Sequence, residues 1–407
     1  MPISRRIFLR DSAIAMVGVG TSPLWLERAA LAVNSTASSG QRKKVLVAIF
    51  QRGAADGLNI VVPHGEQRYY DLRPTIAIPQ NQVIDLDGMF GLNPALAPLK
   101  PLWDAKELAI VHAAGSPDPT RSHFDAQDYM ESGTPGLKAT NDGWLNRALP
   151  PADGKPSPVR AVSLGPTLPR AMRGNNDAVA VENLNSFNVR DAAAAKSLEA
   201  MYAGTGDQVL NGTGRATFEA VALLQSLQKT PYQPANGAKY PTGRFGDSLR
   251  QIAQMIKADV GVEVAFADIG GWDHHVQEFQ HMPPLLAEFG GALAAFYQDL
   301  GDRMEDVVLV TMSEFGRAAK ENGDRGTDHG HANAMFVMGG PVQGGKVYGK
   351  WPGLAPEQLY EKRDLALTTD FRDVLSEAVY SHLGNRQIAT VFPGYQGGKN
   401  KFKGYLL

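Results

Sequence analysis

The residues best suited to chemistry lie between two apolar runs, Val307 to Thr311 and Ala334 to Met338: Ser313, Glu314, Arg317, Asp328, His329 and His331. A carboxylate directly after a strand-like run, with Asp-His-Gly-His about a loop later, supplies the donors of a metal or phosphate-type site. A second concentration follows the run Val262 to Ala267, where Asp268-Ile269-Gly270-Gly271-Trp272-Asp273-His274-His275 puts two acids and two histidines within one short segment. Two clusters of like composition in like positions point to one shared site.

Two further strand ends carry polar groups. The run Leu108 to Ala114 leads into Thr120, Arg121, Ser122 and His123, and the helix expected after it would start at Thr120 or Ser122. A hydroxyl at a helix N-terminus can act as a nucleophile, because free N–H groups and the helix dipole favour negative charge there. Capping the helix is the commoner use. Arg121 and His123 could hold an oxyanion. The first strand of the mature chain, Val45 to Phe50, runs into Asp56-Gly57, which is either a way to place a carboxylate or an ordinary turn.

The elements expected to position these groups form an α/β fold with a central, mainly parallel sheet flanked by helices. Pro283-Pro284 should open a helix whose stripe Leu285, Phe289, Leu293, Phe296, Leu300 and Met304 packs on that sheet. Strand, helix and strand in succession imply a right-handed parallel crossover. Both clusters then fall on one sheet edge. Residues 186 to 228 read as helices broken at Gly204-Thr205-Gly206 and Asn211-Gly212-Thr213-Gly214, and 229 to 244 as a surface loop. An insertion is therefore expected around 186–244 of one domain spanning 45–407. Asn93 and Asp370 read as helix N-caps, and Gly384 as a helix stop.

At the N-terminus, Ser4-Arg5-Arg6-Ile7-Phe8-Leu9-Arg10, a mildly apolar stretch to Leu26, and Ala30-Leu31-Ala32 have the pattern of a twin-arginine export signal over residues 1–32. Residues 33–44 read as a linker. The expected location is periplasmic or extracellular, with the twin-arginine translocase as a partner during export. The chain has no cysteine, which excludes disulfides, thiolate ligands and cysteine nucleophiles. Net charge is −2, and without residues 1–32 the chain keeps 36 basic and 40 acidic residues, net −4. That balance argues against nucleic acid as a main partner. No run beyond residue 32 reaches the length of a transmembrane span.

In the order QRGAADGLNIVVP, RSHFDAQDYMESG, GGWDHH, MSEFGR, GTDHGHANAMFVMGG, GGKVYG and DFRDVL, the chain resembles the twin-arginine-exported bacterial family known as domain of unknown function 1501. That family is similar in fold to the alkaline phosphatase and sulfatase superfamily, which implies a metal-centred site at strand C-termini. The resemblance implies Asp56 as the early strand-end ligand and Thr120 or Ser122 as nucleophile. Asp273 with His275 matches the paired ligands, and His329 the last histidine. Ser313-Glu314 stands where the superfamily has Asp-His or Asp-Asn.

The resulting expectation is an exported hydrolase of phosphate or sulfate esters, acting on a small molecule or glycan. A divalent ion (zinc, manganese, magnesium or calcium) would be held among Asp56, Asp273, His275, Glu314, Asp328 and His329, with Arg121 or Arg317 on the ester oxygens. The alternative is an exported, non-catalytic binding or assembly protein that keeps the fold. Convergence of the acids and histidines distinguishes the two.

Overall fold

The computed structural model describes residues 42–138, 140–152, 154–184, 208–228 and 231–406. The expected export signal, residues 1–32, and most of the expected linker lie outside the described residues, as do 186–207 and 229–230 of the expected insertion.

Nine strands form the main sheet: β1 (Val45–Gln51), β2 (Leu108–Gly115), β3 (Ala161–Leu164), β4 (Val179–Val181), β5 (Val264–Ile269), β6 (Val307–Ser313), β7 (Asn333–Met338), β8 (Lys346–Tyr348) and β9 (Thr369–Asp370). Their order is β8-β2-β7-β6-β1-β5-β3-β4, with β9 also on β2. All pairings are parallel except those of β7 with β2 and β6. The sheet is therefore mixed and mainly parallel.

Strand β1 lies at its centre and all seven of its residues are buried. Val45, Val47 and Ile49 enter one core cluster, and Leu46, Ala48 and Phe50 another. Alternate side chains point to opposite faces, so helices must cover both. They are α1 (Gly57–Ile60), α2 (His123–Ser132), α3 (Gln208–Leu227), α4 (Arg244–Lys257), α5 (Glu278–Leu300) and α6 (Phe371–Glu377), with shorter turns between. Helices α4 and α5 fill the first face through Leu249, Ile252, Phe289 and Phe296, while Phe371, Val374 and Leu375 of α6 fill the second. No helix among the described residues is long and apolar enough to cross a membrane.

Three local expectations are corrected. Helix α5 starts at Glu278, and Pro283 and Pro284 lie inside it. Leu286 is fully buried, whereas Leu285 only borders the core. Helix α3 runs unbroken through Gly212 and Gly214, because burial of residues such as Leu224 outweighs the weak helix propensity of glycine. Strand β5 begins two residues later than the apolar run suggests and reaches Ile269. The caps at Asn93 and Asp370 form, each side chain accepting from the N–H two residues on.

The crossover β5-α5-β6 passes over β1, which separates the two strands and is parallel to both. Strand β2 is antiparallel to β7, and β7 to β6, so β2 runs with β6. The C-terminal ends of β1, β2, β5 and β6, and the N-terminal end of β7, therefore share one edge.

Candidate metal centre

The segments after β2, after β5 and before β7 meet in one cluster. His123 opens α2 after β2, Asp273 and His275 follow β5, and His329 precedes β7. The Nε2 of His329 lies 3.0 Å from Nε2 of His123 and 3.0 Å from Nε2 of His275. The Asp273 carboxylate lies 3.2 Å from His329, 3.0 Å from His275 and 3.4 Å from His123.

The outer nitrogens fix the tautomers. His329 Nδ1 faces the Arg121 carbonyl at 2.9 Å, which can only accept, so this nitrogen carries the proton. His123 Nδ1 donates to Glu314 Oε1 at 2.9 Å. In the neutral rings both Nε2 atoms are then unprotonated, with lone pairs 3.0 Å apart. Such an arrangement is repulsive unless a metal ion, or a proton on one of the two nitrogens, lies between them. Tetrahedral zinc with bonds of about 2.0–2.1 Å sets ligand separations of about 3.3 Å. The donor set fits a divalent metal ion, and an outer hydrogen bond on a ligating imidazole is the usual way to orient it. The site faces solvent: Asp273 and His275 side chains are 45% and 42% exposed.

Glu314 lies one layer behind. Besides His123, its Oε1 accepts from Gly53 N–H at 2.8 Å and Gln127 at 2.9 Å, and its Oε2 accepts from Ser313. Burial pushes its carboxyl up, but the hydrogen bonds from His123 and Gln127 outweigh it and hold it below the usual carboxylate range. The Glu314 hydrogen bond in turn raises the His123 imidazole, against burial. Burial lowers His329. For Asp273, burial is outweighed by Arg317, whose Nη1 donates to Oδ1 at 2.6 Å, so the carboxyl is lowered.

The other candidate residues are placed as follows. Asp56 is buried in an ion pair with Arg73, at 2.6 and 3.1 Å, and caps α1 through Leu58 N–H. It does not join the cluster. Asp328 lies 3.6 Å from Nδ1 of His275, behind that ring. Arg317 is engaged by Asp273 and by the Thr327 carbonyl and hydroxyl. The Arg121 side chain turns away to Asp364 and Glu361. Ser122 occupies the N-cap position of α2, yet its hydroxyl makes no capping bond. The Thr120 hydroxyl accepts from Ser122 N–H at 3.2 Å. His331 is buried and stacked on Tyr360, away from the cluster.

The candidate ligand that sequence reasoning missed is His123, read there only as an oxyanion holder. Its signal was available: it is a histidine at the end of a strand parallel to β6, hence at the same edge. The parallel alignment, however, follows from β7, which the sequence does not orient.

Close backbone approach locks the edge. Gly53 has φ +117°, and a Cβ there would meet Asp273 N at 2.8 Å. At Gly330 a Cβ would meet the Arg317 backbone at 2.2 Å, where Arg317 and His329 form an antiparallel bridge.

A family model described as "Protein of unknown function (DUF1501)" matches residues 103–390. No curated protein matches the sequence. Among solved structures, the chain is similar to the C-terminal periplasmic domain of EcEptC from Escherichia coli, complexed with Zn, at 8% identity and TM-score 0.36, covering 74% of each chain. It is also similar to the PsFucS1 sulfatase from Pseudoalteromonas sp., at 11% identity and TM-score 0.38, covering 92% of this chain and 75% of that one. The lipoteichoic acid synthase LtaP from Listeria monocytogenes matches at 9% identity and TM-score 0.32, covering 82% and 70%.

Proposed function

The chain belongs to the DUF1501 family, and from that premise we propose that it is an exported, metal-dependent hydrolase of phosphate or sulfate esters. The reading rests on the facing Nε2 atoms of His123 and His329 beside Asp273 and His275. A divalent ion held there would polarise the ester and offset developing charge.

The chain's own groups would do the rest. Glu314 and the Arg121 carbonyl aim two imidazoles, and Arg317 holds Asp273. Ser122, whose hydroxyl is not spent on capping, would attack phosphorus or sulfur in line, its proton passing to solvent. The ester P–O or S–O bond breaks opposite, the leaving oxygen takes a proton, and water then releases the acid. N–H groups at the start of α2 favour the negative charge.

Elemental analysis of protein purified without chelator tests the premise. We expect about one equivalent of a transition metal in the parent, lost in a His275→Ala, His329→Ala double variant. No metal in either, even after adding zinc, manganese, magnesium and calcium back, sinks the proposal. Ser122→Ala should keep the metal and abolish turnover in a screen of generic phosphate, diester and sulfate esters. Export is tested by Arg5→Lys with Arg6→Lys, which should leave the protein in the cytoplasm.

One observation favours a second reading, a metal-binding protein without turnover. Both candidate arginines are committed to carboxylates, Arg121 to Asp364 and Glu361, and Arg317 to Asp273. Metal in the parent with no hydrolysis of any ester in the screen would select it.

A further inference from the structure

Four large apolar side chains stand exposed among the described residues, and three are next to or near the proposed ligands in sequence. Phe124 follows His123, Val276 follows His275, and Phe279 lies three residues further, in the first turn of α5. Phe124 is 91% exposed and Val276 51%. Exposed apolar side chains cost solvation, and apolar patches commonly mark ligand contacts.

A cavity of about 550 Å³ opens beside Asp273 and His275. Val276, Pro284 and Leu285 give it apolar lining, and His274, His281 and Glu288 also line it. No lysine or arginine lines it among the described residues. The rings of His274 and His281 lie nearly parallel, with centroids 6.3 Å apart. His274 is almost fully buried and its Nδ1 has no partner among the described residues. Away from Asp273 and His275 the lining thus offers apolar area, two imidazoles and the Glu288 carboxylate, and no lysine or arginine to offset a second anion.

We infer that this cavity receives the organic part of the ester, and that this part is an apolar-bodied alcohol or phenol bearing no negative charge. The inference rests on the ester-hydrolase reading above and narrows its substrate class: anionic glycans and nucleotides are disfavoured by Glu288 and the missing cations.

Binding to the metal-loaded protein tests it without turnover. Calorimetry would compare inorganic phosphate, phenylphosphonate and 4-carboxyphenylphosphonate. Phenylphosphonate should bind about tenfold tighter than phosphate, the gain expected for burying part of a ring. The added carboxylate should remove most of that gain. In a Val276→Asn, Leu285→Ala variant, checked for folding by thermal unfolding, the phenylphosphonate-to-phosphate affinity ratio should fall toward one. Val276→Asn alone, at an exposed position, should lower the ratio in part and remains informative if the double variant does not fold. Equal affinities in the parent, a ratio unchanged by either variant, or tighter binding of the carboxylated probe would overturn this inference alone. Failure of phosphate and both phosphonates to bind would overturn the ester reading and this inference together.

Discussion

In the proposed metal centre, Glu314 would support the ion without touching it. Its Oε1 accepts from His123 Nδ1, Gly53 N–H and Gln127 together. Changing Glu314 to Gln would remove the charge that orients and enriches His123. Such outer partners are typically worth about 10–100-fold in metal affinity. Competition with a chelator should show a loss of that size with the fold intact, and an unchanged affinity would place Glu314 outside the site's support. The same pair sets a pH dependence. Since Glu314 raises the His123 imidazole, protons compete with metal at His123 from a higher pH than at an ordinary histidine. Metal affinity in the parent should therefore weaken as pH falls into the histidine range, and the Gln variant should weaken at lower pH.

At the scale of elements, the loop between β6 and β7 carries the site because it is pinned on both sides. Arg73 is fully buried, pairs with Asp56 after β1, and donates to the carbonyls of Ala318 and Ala319. Asp56, offset by Arg73 against burial, sits below the usual carboxylate range. Removing one partner of a buried pair strands the other, at about 3–5 kcal/mol. Arg73→Met should lower stability by that order in urea unfolding; a change below about 1 kcal/mol would mean the pair is not what holds this loop. Gly330→Ala tests the facing bridge. The added methyl would press on the Arg317 backbone, costing about 1–3 kcal/mol and moving His329 off the cluster. Loss of bound metal together with the lower melting temperature is the expected pair of results.

Across the whole molecule, buried histidines set the acid limit. His112 accepts from Ala113 N–H at Nδ1 and donates to the Val61 carbonyl from Nε2, so it has no place for a second proton. His382 Nε2 donates to the Val45 carbonyl. Burial lowers both from 6.5 to about 4, and His274 likewise. Folded values below the unfolded one mean that their contribution is complete above about pH 6.5 and is lost as pH falls toward 4. Glu278 acts in the opposite sense, since burial and the Asp56 charge raise it well above its ordinary value. Glu107, Glu377 and His123 are raised and act with Glu278, while His329 and His331 are lowered and act with the other histidines. The large shifts of His112, His274 and His382 carry the balance, so stability should climb from pH 4.5 to 6.5. A melting temperature that is flat or falling over that range would contradict this account.

The sequence by itself determined the strands, their polar ends and two of the clusters. Apolar runs such as Val45 to Phe50 and Val307 to Thr311 are long enough to specify buried strands within a residue or two. Asp273, His275 and His329 were legible because histidines and acids at strand ends are seldom there for packing. Only the tertiary structure decided the partners. Asp56 and His123 both follow strands that end at the same edge, yet Arg73 claims Asp56 while Glu314 turns His123 toward His329. Residue type fixes what a side chain can donate or accept; which neighbour comes within 3 Å depends on strand order, on the antiparallel return of β7, and on glycines that let two backbones touch.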